Sequence, residues 1–203
     1  MDEATHDYIR TTVYIAPFTA LIPPNNVHNV ATLLTPEDDY TTIFYFIAWN
    51  EPDKPGIDAQ AWRKFNVLEW GKDVDRHFNS VRNADNLYGQ DRTAMKAGNF
   101  TGIKGIPNQD IAMWESMGPI SDRNQERVGV SDIAVNAFRR LMVEAAGAVR
   151  EGKPVIGTAE PRIPHASISS FEGVVPKATD WRTLGGGNDV PSDSGKRSVR
   201  VSM

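Results

Sequence analysis

The order of elements in this sequence predicts an α+β fold, and three observations carry that reading. The first fifty residues are rich in Tyr, Ile, Thr, Val and Phe and are interrupted by prolines, which is strand composition with turns between. Helical periodicity appears only later, over residues 107–117 and 131–152. A long aperiodic stretch separates the two regions. Strands followed by helices, rather than an alternation of the two, favour helices on one face of an antiparallel sheet.

DYIRTTVYIAPFTALIPP opens the strand region and ends at Pro23 and Pro24. Pro17 lies inside it, so the run is two strands or an edge strand with a bulge. HNVATLLTP and YTTIFYFIAW read as an antiparallel pair joined by a turn at Pro36–Asp39. Both alternating faces of the second run are largely apolar, which predicts cover on both sides. NEPDKPGID is a loop, and Asp58 is placed to cap a short helix over AQAWRKFNVLEWG. From Asp73 to Gly105 the chain is polar and irregular, which in a compact domain marks a functional flap more often than a spacer. Pro107 and Asn108 start a helix that runs to Met117 and stops at Gly118-Pro119. Ser131 is the expected cap of the longest helix, with Asp132 suited to its dipole and Gly152 at its end. The apolar stripe of that helix runs from Ile133 and Val135 through Phe138, Leu141, Met142 and Ala145 to Val149, and it is expected to pack across the sheet. Residues 1–160 form the expected domain. Residues 161–203 read as an irregular C-terminal extension, mobile from about Gly185.

Composition excludes several classes. The 203 residues carry a formal net charge of −4, without a basic stripe, so nucleic acid is not an expected partner. No apolar run approaches the roughly 20 residues that span a bilayer, so no membrane is expected. The polar start MDEATHDY has no signal-peptide pattern, and the expected location is the cytoplasm. With no cysteine, the chain supplies no disulfide, no thiolate nucleophile and no cysteine ligand to zinc or an iron–sulfur cluster. The four histidines, His6, His28, His77 and His165, are scattered and form no local metal pair. Each reads as an ordinary satisfied side chain.

The sharpest candidate is Asp110. At 100° per residue it shares a helical stripe with Met113, Trp114 and Met117. An apolar stripe is expected to face inward, and a carboxylate carried inward must be paired, protonated or bound to a cation. Two readings stand: a first-turn carboxylate stabilised by the helix dipole, or a metal ligand or general base facing a pocket. SDRNQERVGVSD reads as a salt-bridged loop, with Glu126 placed to pair Arg123. Glu37, Asp38 and Asp39, and likewise Asp73 and Asp75, read as turn and loop carboxylates. Gly185–Gly187 lies in the tail and is not a phosphate loop. No Gly-x-Ser-x-Gly elbow exists.

The stretch GIPNQDIAMWESMGPISDRNQERVGVSDIAVNAFRRLM resembles the C-terminal hallmark of Rieske-type aromatic-ring oxygenase α subunits. It is similar to the phthalate-dioxygenase-like and vanillate-demethylase-like branches. Gln109-Asp110, the run Glu115 to Ile120, Asp122-Arg123, Glu126, Ser131-Asp132 and Arg139-Arg140 carry the likeness. Upstream, YIRTTVYIAPFTALIPP and PEDDYTTIFYFIAWNEP resemble the same family's sheet, so the likeness covers roughly residues 8–155. The resemblance implies a helix-grip fold, an antiparallel sheet packed on a long C-terminal helix. It implies a mononuclear Fe(II) site of two histidines and one carboxylate, which suits O₂ chemistry. It places that carboxylate on Asp110, with Met113, Trp114 and Met117 lining the pocket. It implies hydroxylation or O-demethylation of an aromatic acid, a reductase or ferredoxin as electron donor, and a homotrimer for a full-length subunit. The family's [2Fe–2S] Rieske cluster needs two cysteines and two histidines. This chain has none of the former and nothing that matches the two iron histidines. The chain is therefore expected to be a C-terminal portion of a longer subunit, inactive alone. The alternative is a non-catalytic small-molecule binding module of the same fold, and a weaker one is a structural remnant that mediates trimer contacts.

Overall fold

In the computed structural model, residues 5–23, 28–158 and 167–186 are described. His165 and the tail beyond Gly186 lie outside them. The secondary structure is mixed, with antiparallel sheets and helices, so the α+β expectation holds. The chain divides into two compact units. Among the described residues, one comprises 5–23, 28–35, 43–48, 130–158 and 167–186, and the other 36–42 and 49–129.

The first unit is built on strands. The run containing Pro17 forms three strands rather than one or two: β1 (His6–Thr11), β2 (Val13–Ile15) and β3 (Thr19–Ile22). Pro17 falls in the turn between β2 and β3, where its missing N–H costs no ladder bond. β4 (Asn29–Pro36) and β5 (Thr42–Trp49) complete a four-stranded sheet of order β2-β3-β4-β5. Its register runs from Thr19 opposite Leu33 to Ile22 opposite Val30, and Leu21, Val30 and Ala31 form its buried centre. The expectation that β5 is covered on both sides is corrected. Phe44, Phe46 and Ala48 are half-buried, but Ile43, Tyr45, Ile47 and Trp49 stand exposed on the other face.

A second correction concerns residues 171–176. They read as part of an irregular extension but form β6 (Phe171–Pro176), which pairs antiparallel with β1 from His6 opposite Pro176 to Thr11 opposite Phe171. Glu172 binds across this ribbon. It accepts from the Tyr8 hydroxyl, and the Arg10 Nε lies 3.8 Å from its other oxygen. The Tyr8 hydroxyl, held by that carboxylate, has its pKa raised.

α4 (Ile133–Arg150) is the longest helix. Ser131 is not its cap. A 3₁₀ turn over Val130–Asp132 precedes it, Asp132 occupies the cap position, and no side chain caps the helix. Ala137, Leu141, Met142 and Ala145 are half-buried, but Ile133, Val135, Phe138 and Val149 of the expected stripe stand exposed, so the expectation that the whole stripe packs is corrected to its central part. Tyr14 of β2 meets this helix, with its ring edge-on to Phe138 at 5.2 Å and its hydroxyl 4.0 Å from the Met142 sulfur. That contact ties the helix to the sheet within the unit. No helix among the described residues is long and apolar enough to cross a membrane.

The second unit begins with the β4–β5 turn, where Asp38 Oδ1 accepts from Tyr40 N at 2.8 Å and Thr41 N at 2.6 Å. These backbone donors hold the Asp38 carboxyl below its usual pKa. α1 (Ala59–Asn66) starts where expected, with Asp58 accepting from Ala61 N at 2.6 Å. The 73–105 stretch is irregular but not featureless. It contains a 3₁₀ helix over Ala84–Gly89 and the short α2 (Arg92–Lys96), which Asp91 caps. α3 (Ile106–Ser116) follows.

Candidate functional site

α3 carries the candidate carboxylate, and how this helix is held decides what Asp110 faces. The helix begins at Gly105, whose φ of +82° is open to glycine, and Pro107 sits in the first turn. Its cap position makes no side-chain hydrogen bond. Tertiary bonds hold it instead. Asn108, only 2% exposed, donates from Nδ2 to Val67 O and Lys104 O, each at 3.0 Å, and reaches Asn66 O at 3.5 Å. Gln109 Nε2 donates to Ile103 O at 2.9 Å. Gly105 lies so close to the end of α1 that a Cβ there would stand 2.3 Å from Asn66 O.

The partner segment is itself unusual. Val67 ends α1 in the left-handed region, at φ 56° and ψ 48°, a conformation that a β-branched residue rarely adopts. Its N–H and that of Leu68 satisfy the last carbonyls of α1, at Lys64 and Arg63. Its own carbonyl is one of the three that Asn108 binds. A buried amide thus joins a strained helix end to the first turn of α3.

This clamp turns the predicted stripe outward. Pro107, Asn108 and Ala112 are buried, and Gln109 and Ile111 half-buried. Asp110 is exposed, as are Met113 (61%), Trp114 (40%) and Met117 (55%). The expectation of an inward apolar face is therefore corrected for this chain. The physical reason is that α3 carries apolar residues on two faces, Pro107, Ile111 and Ala112 on the buried one and Ile106, Met113, Trp114 and Met117 on the exposed one. Periodicity cannot choose between such faces, and the hydrogen bonds of a polar residue do.

Among the described residues the Asp110 side chain has no hydrogen-bond or ion-pair partner, and desolvation by the surrounding protein is the one cause that raises its pKa. Glu115, on the same helix, is raised for the same reason. The dipole reading gains no support, since a first-turn carboxylate bonded to free N–H groups has its pKa lowered. Asp110 is a hard oxygen donor with unused lone pairs, which fits one ligand position of a cation site. Among the described residues, however, no group of three His, Cys, Asp or Glu side chains could hold a metal. The concavity of about 420 Å³ beside α1 is lined by Asp58, Arg63, Lys64, Glu69 and Trp70, and none of Asp110, Met113, Trp114 and Met117 borders it.

The other sequence candidates are accounted for. Arg123 pairs with Glu126 as expected, and Asp122 caps the 3₁₀ turn Arg123–Gln125. Asp75 binds its own turn through His77 N and Asn79 N, at 2.7 and 3.0 Å. Asp73 is more than a loop carboxylate. It is 2% exposed and accepts from Arg82 Nη2 at 2.8 Å and from Glu69 N at 3.0 Å, which holds the irregular stretch together. Sequence reasoning missed both this pair and the Asn108 clamp, because neither partner set has a periodic spacing.

A family model described as LigXa C-terminal domain like matches residues 1–198. The chain belongs to this family. It is 54% identical over 179 residues to the phthalate 4,5-dioxygenase oxygenase subunit of Pseudomonas putida, a match that covers 88% of this chain and 40% of that protein. It is 30% identical over 203 residues to the 3-chlorobenzoate-3,4-dioxygenase oxygenase subunit of Comamonas testosteroni, covering 89% of this chain and 45% of the relative. The chain thus spans less than half the length of these two relatives. Both are named as oxygenase subunits, in agreement with the resemblance read from residues 105–142.

Proposed function

We propose that this chain is part of the catalytic region of a Rieske-type mononuclear-iron oxygenase. The complete subunit would hydroxylate or O-demethylate an aromatic acid, using O₂ and electrons delivered by a reductase or ferredoxin. The 54% identity to a phthalate dioxygenase oxygenase subunit is the observation that carries this reading. Asp110 is the proposed iron carboxylate, supported by its free oxygens. The two histidine ligands, and the cysteines and histidines of the [2Fe–2S] cluster, come from other sequence of such a subunit. Bound Fe(II) supplies O₂ activation. The chain's own residues hold the carboxylate at its place and, through Met113, Trp114 and Met117, keep water from it once the rest of the subunit covers them. The packing of α4 on β2 supports a helix-grip arrangement. A homotrimer in the cytoplasm completes the proposal.

The test is Asp110→Ala in a complete subunit that carries this sequence. The expected result is loss of bound iron and of turnover with an unchanged circular dichroism spectrum. Stoichiometric iron in that variant refutes the assignment. The absence of a three-donor group among the described residues favours the alternative, a non-catalytic binding module, for the chain by itself. Calorimetric titration of the chain with benzoate and phthalate separates the two.

A further inference from the structure

We infer that Asn108 is a positioning residue for the Asp110 carboxylate, an inference that rests on the ligand reading above. Asn108 stands two residues before Asp110, in the first turn of a helix that has no side-chain cap. Its amide N–H groups converge on the carbonyls of Asn66, Val67 and Lys104. Among the described residues its Oδ1 is buried without a partner, so the side chain serves as a donor alone. A hydrophobic residue of similar size would fill the space without leaving that oxygen unpaired, so packing does not account for an amide here. What the amide adds is direction. It fixes the rotation of α3 against the end of α1, and that rotation sets where Asp110 points. A metal ligand must be held to a fraction of an ångström, and groups that orient such ligands typically change metal affinity by 10–100-fold when removed.

The experiment uses the iron-free complete subunit and titrates it with Fe(II) and with Co(II), comparing wild type, Asn108→Ala and Asp110→Ala. The expected result is loss of tight binding in Asp110→Ala. Asn108→Ala should bind roughly ten- to a hundredfold more weakly, with shifted Co(II) absorption bands that report a distorted ligand set. A role in folding alone would lower thermal stability and leave those bands in place. If Asp110→Ala keeps wild-type affinity, the ligand reading fails and this inference with it. If Asp110→Ala loses the metal while folded Asn108→Ala binds it as wild type does, the inference alone is overturned. Should Asn108→Ala not fold, hydrogen exchange on the wild type decides. Amides of residues 110–112 should exchange more slowly than those of residues 113–117, and equal rates overturn the clamp.

Discussion

The two longest helices are oriented by different physics. α4 has one apolar stripe whose centre, Leu141, Met142 and Ala145, is half-buried in its unit, while its ends Ile133 and Val149, with Val143 and Arg150, are exposed. α3 offers two apolar faces, and Asn108 decides its rotation. Hydrophobic burial is non-directional and scales with area. It orients a helix whose faces differ and leaves one whose faces match undecided. A buried amide with three carbonyls to satisfy is directional, and leaving those carbonyls bare is costly. In this chain the helix that carries the candidate carboxylate is the one set by hydrogen bonds.

Several substitutions break or sharpen this contrast. The largest effect is expected at Gly105→Ala, which adds a Cβ 2.3 Å from Asn66 O at a φ of +82°. It should cost about 3 kcal/mol or more, read by urea unfolding. Asn108→Ala, which strips the donor from three carbonyls, should cost about 2–3 kcal/mol in the same assay. Leu141→Ala on α4 removes area from a half-buried face and should cost about 1–2 kcal/mol in that assay. Met117→Ser, on the outward side of α3, should change the stability of this chain by less than about 0.5 kcal/mol. A larger loss would place that face under cover already.

The smallest effect is a pH dependence. Asp110 has a raised pKa in the folded chain, so the native state binds more protons than the unfolded one in the interval between the two pKa values. Its contribution is therefore lost as pH rises through that interval. Asp110→Asn should make the metal-free chain slightly more stable at neutral pH, and the gain should vanish below the ordinary carboxylate range. A gain that persists there, in denaturation curves across pH, would point to some other cause.

Much of the fold was legible in local chemistry. Asp58 caps α1, Asp38 closes the β4–β5 turn and Gly118 ends α3, because each of these signals acts within four residues. The Gln109-Asp110 and Glu115–Ile120 motifs led to the family for a different reason, since they record a shared ancestry rather than a force. What was not legible depends on partners far away in sequence. FEGVVP is a short strand containing a glycine, and it declares itself only opposite His6–Thr11. The outward turn of Met113, Trp114 and Met117 follows from carbonyls at residues 66 and 67, which no spacing within α3 encodes. The missed cap at Ser131 is a shift of one residue, the usual uncertainty at a helix end.

The β1–β6 ribbon sets a limit on how this chain can be made. Its two strands lie at opposite ends of the described sequence, and Tyr8 meets Glu172 across 164 positions. Synthesis proceeds from the N-terminus, so β1 leaves the ribosome long before its partner exists. Its exposed edge must wait while the intervening residues are made, and closing so distant a pair is slow. Nascent chains stalled short of Phe171 should therefore be the ones that chaperones hold.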